Sequence, residues 1–408
     1  METVIWVGMD VHARSTHAAA VIAAAGELRR ARFGGGAEAV VAWLGGLPAP
    51  VRACYEAGST GYGLARAAQS AGVAVGVIAP SKTPRAPGER IKTDRRDAEL
   101  LVRLLMAGQL HPVAVPTPRV EALRDLTRAR DRIRGDLLRA RHRVSKLLLR
   151  YGRVWPSDRG TWTQEHHHWL RRQRFDDPNL ELAYLDALAA VDALMRRRDL
   201  LDQRLLVAAQ DADVAAAVAR LRAFRGINTL TALALHAEIH DWHRFGRPGR
   251  LAAWIGLVPS LYQSGESAQS GAITKSGSRH ARRLLVEAAW HYRRRPGRGV
   301  TLTRRQEGVD QHTIDIAWRC QHRLYRLHTR LRDRGKPANV ATVAAARELA
   351  CFLWDAMREY QPPTTTAARA SAEPSRLAGT PAATMRRRLR PRAFLDPRRP
   401  ATKQGHLG

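Results

Sequence analysis

The order of strand-like and helix-like segments in the first 110 residues constrains the fold of this chain more than any other feature. The first three strand patterns follow one another after short turns, which predicts an antiparallel meander. Alternating and apolar patterns predict strands at 3–10, 16–24, 27–34, 51–57 and 73–80, and helical spacing predicts helices at 36–47, 60–72 and 94–107.

A strand meander followed by helix, strand, helix, strand and helix is the element order of the ribonuclease H-like α/β fold. We therefore predict an N-terminal α/β domain of this type at residues 1–110. Residues 111–214 are predicted to form a helical coiled-coil region, and residues 215–360 a mostly α C-terminal domain. The tail at 361–408 is rich in proline and arginine, and we predict that it is disordered and basic.

The helical region holds two leucine-rich patterns with a spacing close to heptads, at 118–150 and 179–207. A long antiparallel hairpin, a coiled coil with a partner chain and an intrachain helical core all fit this spacing. If these helices form a coiled coil with a partner chain, the region would mediate dimerisation.

The formal net charge of +31 restricts the partners that the chain can bind. Residues 1–110 contribute only +4, from 13 basic and 9 acidic residues, so most of the excess lies outside the first domain. This distribution favours a nucleic-acid partner, with an anionic membrane surface as the alternative.

The longest apolar runs fall well short of the ~18 residues of a transmembrane helix. Three widely separated cysteines indicate neither a disulfide framework nor a zinc site, and we expect a cytoplasmic protein.

Four acidic residues of the first domain form a candidate catalytic centre. Asp10 ends the first predicted strand, and Glu56 ends the strand at 51–57. Asp94 and Asp97 are three residues apart on one helix face, so both can point towards the same sheet edge. Carboxylates that are brought together repel unless divalent cations neutralise them. We predict a site for two Mg²⁺ ions, with Mn²⁺ as an alternative, that supports phosphoryl displacement.

Basic residues close to these acids in the sequence are candidate phosphate contacts. His12 and Arg14 follow Asp10, and solvated surface charge is the alternative for each of them. The basic residues beside the acid pair of the last helix are Lys92, Arg95 and Arg96.

At this point the sequence resembles a known family. The segments GMDVH with Asp10, CYEAG with Glu56 and IKTDRRDAELL with Asp94 and Asp97 resemble the DEDD (RuvC-like) domain of bacterial insertion-sequence transposases. These transposases are related to the pilin-gene DNA invertase and are guided by a bridge RNA. Segments of the second half resemble the same transposases: FRGINTLTALALHAEI at 224–239, and LVPSLYQSG and GAITKSG within 257–277. The resemblance therefore covers about residues 3–360.

The resemblance implies a site-specific DNA recombinase whose C-terminal domain supplies a serine nucleophile. Ser264, in the segment Tyr-Gln-Ser-Gly, stands at the matching position and would form a phosphoserine linkage with DNA. The implied partners are the ends of the element, its target DNA, a guide RNA and further copies of the chain in a dimer or tetramer. The implied location is the bacterial cytoplasm, at the nucleoid. The residues alone do not distinguish this serine from the neighbouring serines, which are Ser260, Ser267, Ser270 and Ser276.

Further residues of the second half are candidate nucleic-acid contacts. Lys275 and Arg282 or Arg283 could hold phosphates beside the serine, with a solvated helix face as the alternative. Residues 224–239 are similar to a helix–hairpin–helix, in which Gly226 would offer backbone N–H groups to a phosphate. The family prefers glycine at the position of Asn228, which weakens that expectation, and a simple packing unit is the alternative.

Two other functions remain open from the sequence. A metal-dependent junction nuclease would use water as its nucleophile and would leave Ser264 structural. A non-catalytic nucleic-acid scaffold would bind without needing a metal ion. In the recombinase, the acids and Ser264 are so far apart in sequence that different protomers could supply them.

Overall fold

The computed structural model describes residues 4–22, 26–48, 50–84, 93–265 and 267–360. Two predictions fall outside the described residues: that Lys92 contacts nucleic acid, and that the tail at 361–408 is disordered. The described residues divide into two units after Val115, and each is described by itself below. The division of the chain into four domains stays a prediction.

The first unit is built on a five-stranded sheet in the order β3-β2-β1-β4-β5. The first three strands are antiparallel neighbours, whereas β4 is parallel to β1 and β5 is parallel to β4. The elements of this unit are β1 (Ile5–Val11), β2 (Ser15–Ile22), β3 (Glu27–Gly34), α1 (Ala37–Gly45), β4 (Val51–Glu56), α2 (Gly63–Ser70), β5 (Ala74–Ile78) and α3 (Asp94–Met106). This sheet order and these directions are those of the ribonuclease H-like α/β fold.

Every predicted strand and helix of the first unit is present in the described residues, and the differences lie at the ends. The predicted helix at 60–72 begins only at Gly63, because Gly61 takes a left-handed turn with φ of 67° just before it. The strand predicted at 73–80 ends at Ile78, because Pro80 opens a short 3₁₀ turn.

The two faces of the sheet bury different residues. Ile5, Val7 and Met9 of β1 pack with apolar side chains of α1 and α2 on one face. The alternate residues face α3, because successive side chains of a strand point to opposite sides. Gly8 is one of them and lies directly against the α3 backbone.

In its described residues, the second unit is helical apart from one β-hairpin. Its elements are α4 (Pro118–Arg150), α5 (Gln164–Arg172), α6 (Pro178–Ala208), α7 (Ala215–Arg222), α8 (Thr229–Ile239), α9 (Pro248–Ile255), β6 (Pro259–Ser264), β7 (Ser267–Ile273), α10 (Arg279–Ala289), α11 (Val300–Gln306), α12 (Gln311–Asp333) and α13 (Ala338–Arg358). Trp242, Phe224 and Tyr292 are among the largest fully buried side chains of its core. Among the described helices, none combines the length and the apolar character needed to cross a membrane.

The two long helices α4 and α6 pack against each other within the chain. Their direction is antiparallel, since Arg130 of α4 donates to Asp202 of α6 at 2.6 Å, whereas Arg141, later in α4, donates to Met195, earlier in α6, at 3.9 Å. Leu137 and Val144 of the predicted heptad face are buried against residues of α6. An intrachain antiparallel pair is therefore present, whereas dimerisation through this region stays a prediction.

A buried carboxylate, that of Glu238, joins three helices of the second unit. It accepts a hydrogen bond from Arg128 of α4 at 2.7 Å and one from Ser278, the residue that caps α10, at 2.9 Å. His280 Nδ1 of α10 lies 3.3 Å away. Burial alone would raise the pKa of Glu238, but these hydrogen bonds and the Arg128 charge outweigh it and hold the pKa at about 2. Glu238 is therefore ionised and ties α8 to α4 and α10.

Candidate active site

The carboxyl ends of β1 and β4 place two of the four predicted acids side by side. These strands are parallel and in register, with Met9 opposite Tyr55, so Asp10 and Glu56 occupy the next level of the same sheet edge. Both are partly buried. Neighbouring residues at one level of a sheet point to the same face, and here that face carries α3.

The start of α3 brings the other two acids to the same face. Thr93 is the N-cap, and its side chain accepts a hydrogen bond from the Arg96 amide, so the helix begins at Asp94. Asp94 and Asp97 both lie in the first turn. Negative charge is favourable there because the helix dipole is positive at its N-terminus.

Two histidines contact the acids of this site, and one of them, His12, lies between Asp10 and Asp94. His12 Nε2 lies 3.3 Å from Asp10 Oδ2 and 3.5 Å from Asp94 Oδ1. His17 Nε2 lies 3.6 Å from Asp94 Oδ2. From the sequence, His12 was predicted only as a phosphate contact, and His17 was not predicted as a site residue. The signal for His17 was available, because pairing β1 with β2 about the turn at 12–14 puts His17 opposite Asp10.

The electrostatics of this cluster favour a bound cation. Burial raises the pKa of Asp10, the neighbouring His12 lowers it, and the charges of Asp94 and Asp97 raise it further. Asp10, His12 and Asp94 each offer a ligand atom, and these atoms all lie within 4.8 Å of one another. Carboxylate oxygens are the ligands that Mg²⁺ and Mn²⁺ prefer, and imidazole nitrogen is compatible with Mn²⁺. The residues Asp10, His12 and Asp94 therefore fit a divalent cation. The charge of Asp97 acts on Asp10, and Glu56 ends the strand next to that of Asp10.

The predicted phosphate contacts of the first unit differ in what their side chains do. Arg14 is exposed in the turn between β1 and β2. Arg95 Nε donates to Glu99 at 3.2 Å, and Arg30 shares the same carboxylate at 2.7 Å. A pocket of about 280 Å³ lies beside the cluster, and its polar lining consists of His17, Arg30, Arg32 and Arg95. A mainly basic pocket beside a carboxylate cluster suits a phosphate-bearing ligand.

Ser264 lies at the distal end of a β-hairpin in the second unit. It closes β6, pairs with Ser267 of β7 and is exposed. Gly265 follows it with φ of 57°, the left-handed conformation that tight hairpin connections require. Lys275, at the base of the hairpin, is exposed and has φ of 54°.

Arg282 is held by backbone carbonyl groups. Its Nη1 donates to the carbonyl oxygen of Ile255 at 2.6 Å and to that of Ser276 at 2.8 Å. Burial lowers the pKa of this guanidinium, and the nearby Arg279 lowers it further. Arg282 Nη1 therefore stabilises the base of the hairpin, and a phosphate contact through the other donors of this guanidinium stays a prediction.

The segment similar to a helix–hairpin–helix joins α7 to α8. Gly226 has φ of 82°, and a Cβ added to it would lie 2.5 Å from the Ala288 carbonyl oxygen. This glycine is thus required for close packing on α10. Asn228 does not take the left-handed conformation that the family's glycine suggests: it is extended, with φ of −91°, and its side chain caps α8 through the Thr231 amide at 2.8 Å. These contacts fit the packing unit that we gave as the alternative.

The fold of the first unit and its carboxylate cluster define the ribonuclease H-like class of α/β domains. Comparison with known proteins agrees, since residues 7–152 match the DEDD family of IS110 transposases. Residues 218–301 match the transposase IS116/IS110/IS902 family. The chain belongs to this family of insertion-sequence transposases, which are enzymes that act on DNA.

Individual relatives cover most of the chain. A putative transposase, y4qE, of Sinorhizobium fredii is 40% identical over 312 residues, which are 76% of this chain and 76% of the relative. The transposase for insertion sequence element IS1533 of Leptospira borgpetersenii is 30% identical over 345 residues, or 82% of this chain and 99% of the relative. A probable family 20 transposase of Pseudomonas aeruginosa is 29% identical over 254 residues, or 60% of this chain and 71% of the relative.

Proposed function

We propose that this transposase excises and inserts its element by cutting and rejoining DNA strands, with Asp10, Glu56, Asp94 and Asp97 holding Mg²⁺ and with Ser264 as the nucleophile. The main support for the proposal is the geometry of Asp10, His12 and Asp94 at one edge of the ribonuclease H-like sheet. One ligand atom of each residue lies within 4.8 Å of the other two. The family resemblance supplies the role of Ser264.

The residues of the chain have distinct tasks in this mechanism. The carboxylates bind the cations, which would neutralise charge on the scissile phosphate and favour ionisation of the attacking hydroxyl. Ser264 Oγ attacks phosphorus and loses its proton, a P–Oγ bond forms, and the bond from phosphorus to one strand oxygen breaks. The departing oxygen takes up a proton. The reverse step, with a strand hydroxyl as the attacking group, rejoins DNA without an external energy source because the ester energy is kept in the phosphoserine.

We also propose that a guide RNA from the same element selects the DNA, and that the chain works as a dimer or tetramer at the bacterial nucleoid. The support is the family resemblance together with the net charge of +31, which favours binding of polyanions. Mixing Asp10→Ala and Ser264→Ala subunits tests whether protomers share a site. Recovered activity supports sharing, and its failure argues for complete sites within one chain.

A second candidate function is a metal-dependent junction nuclease that uses water. The observation in its favour is that Asp10, His12 and Asp94 all lie in the first unit, so the cluster forms without the serine. In that enzyme Ser264 would have only a structural role.

One experiment separates these functions. End-labelled DNA with the junction of the element's ends is incubated with protein, Mg²⁺ and the element's transcript, then analysed on a denaturing gel with and without protease. Our proposal predicts a shifted, protease-sensitive band that both Ser264→Ala and Asp94→Ala abolish and that omission of the transcript reduces. Ser270→Ala, on the other strand of the same hairpin, is the matched control and should leave the band intact.

Two other outcomes would contradict the proposal. Free cleaved ends that persist in Ser264→Ala would establish the water-dependent nuclease. Tight binding without cleavage, unchanged by Mg²⁺ or by Asp94→Ala, would point to a scaffold.

A further inference from the structure

The hairpin that carries Ser264 exposes two large apolar side chains. Tyr262 is 73% exposed and Leu261 is 63% exposed, the former being the most exposed large apolar residue among the described ones. Both belong to β6. Of the two, only Tyr262 has an aromatic ring, and an exposed ring offers a flat surface on which a base can stack. Tyr262 is only two residues from the proposed nucleophile.

The base of the hairpin is fixed, so the exposed residues have a defined position. The Thr274 amide donates to the Val258 carbonyl oxygen at 2.9 Å, and the Lys275 amide donates to that of Gly256 at 3.1 Å. Ile273 packs against the main core of the second unit. Isolated two-stranded hairpins have marginal stability, and these contacts supply the support that this one needs.

Tyr262 and Ser264 share one face of the hairpin. Tyr262 pairs with Gln269 and Ser264 pairs with Ser267, and the register between them is regular. Side chains two residues apart on a strand point to the same side and are about 7 Å apart along it. A distance of about 7 Å spans at most about two nucleotides, the number for a strand stacked as in duplex DNA at ~3.4 Å each, and fewer in a more extended unpaired strand. A phosphate at Ser264 would therefore place a neighbouring base within reach of Tyr262.

The charge of the surrounding segment favours a nucleic acid over a second copy of the chain. Residues 242–300 contain eleven Arg and Lys residues and only two acidic residues. Arg247, Arg250, Lys275 and Arg279 of this segment are exposed. A symmetric contact would set these like charges against each other, whereas a DNA strand neutralises them.

We propose that Tyr262 stacks on an unpaired base next to the phosphate that Ser264 attacks, and that this contact positions the scissile strand. The inference rests on the proposed function. A phenol ring offers a flat apolar surface that stacks on any base, so the contact would be independent of sequence. It would fit an enzyme whose sequence selection lies elsewhere.

Photochemical crosslinking tests the contact with the nucleophile removed. DNA with 5-iododeoxyuridine next to the scissile phosphate is bound to Ser264→Ala protein and irradiated, and the crosslinked residue is found by mass spectrometry. We expect a crosslink at Tyr262, which is lost in the Ser264→Ala, Tyr262→Ala double variant and kept when Phe replaces Tyr262. We expect Tyr262→Ala to weaken binding of this DNA about 10-fold, in line with losing one stacked base. Leu261→Ala, on the opposite face of the same strand, should change the affinity less than 2-fold.

The outcomes distinguish this inference from the proposed function. If wild-type protein forms the covalent adduct and Tyr262→Ala forms it equally fast with the same DNA affinity, the stacking contact is wrong and the serine chemistry stands. If wild-type protein forms no adduct, the proposed function fails. If Tyr262→Ala changes the sedimentation of the free protein and not its DNA affinity, Tyr262 contacts a second copy and the inference is overturned.

Discussion

The backbone of Gly8 lies against the backbone of Ala98: a Cβ on Gly8 would be 2.3 Å from the Ala98 carbonyl oxygen. This contact lets α3 lie directly on β1. As a result, the first turn of α3, with Asp94, reaches the end of β1, where Asp10 stands. The meeting of these two carboxylates thus depends on a residue that has no functional group of its own.

Replacing Gly8 with alanine should weaken both the fold and the metal site. The methyl group cannot fit unless α3 moves, and overpacking of this kind costs about 1–3 kcal/mol. We expect a lower thermal midpoint and at least a 10-fold weaker Mn²⁺ affinity, measured by calorimetric titration. Gly34→Ala is the matched control, since a Cβ there meets nothing within 4 Å. Unchanged Mn²⁺ binding in Gly8→Ala would show that the β1–α3 contact does not set the site.

The two histidines of the cluster should affect metal binding unequally. His12 lies between Asp10 and Asp94, whereas His17 contacts Asp94 alone. We expect His12→Ala to weaken Mn²⁺ binding more than His17→Ala, and Asp94→Asn to weaken it most because a carboxylate charge is lost. Electron paramagnetic resonance of free Mn²⁺ in a titration measures all three. Equal affinities in His12→Ala and wild type would remove His12 from the site.

Glu238 should contribute stability that disappears in acid. Its pKa in the folded protein is about 2, below its usual value of 4.5, so the contribution is complete above about pH 4.5 and is lost as the pH falls towards 2. Glu238→Gln should lower the free energy of unfolding by about 2 kcal/mol at pH 7, because Arg128 and His280 lose their charged partner. Urea unfolding between pH 7 and pH 3 should show the difference between wild type and variant shrinking. A difference that stays constant with pH would contradict the assignment.

Gly277 should be required for the hairpin. It has φ of 66°, and a Cβ would lie 1.7 Å from the Trp254 carbonyl oxygen, so Gly277→Ala has to displace the loop that anchors β7. We expect Gly277→Ala to form the covalent protein–DNA adduct at least 10-fold more slowly than wild type. Circular dichroism should show that its α-helix content is retained. Gly297→Ala, where a Cβ meets nothing within 4 Å, is the control. Normal activity in Gly277→Ala would mean that the hairpin position is not important for catalysis.

Residue patterns predicted much of the first unit because its strands and helices are short and well separated by turns. Asp10 and Glu56 could be placed together since the ends of parallel strands coincide. The cluster's histidines were harder, because the role of His17 depends on pairing across β1 and β2 and that of His12 on where α3 begins. Arg282 and Gly226 show a different limit: local sequence does not tell whether a guanidinium meets a phosphate or a carbonyl group, or whether a glycine faces solvent or another helix.

The central claim is that Ser264 becomes covalently bonded to a DNA phosphate. Mass spectrometry of the trapped protein–DNA adduct tests this claim most directly. After nuclease digestion, cleavage after Arg250 and Lys275 releases residues 251–275, which contain Ser260, Ser264, Ser267 and Ser270. Fragmentation of this peptide assigns the remaining nucleotide to one serine. We predict a nucleotide on Ser264 that is absent from Asp94→Ala protein. A nucleotide on another residue, or DNA ends cut without any modified peptide, would contradict the account.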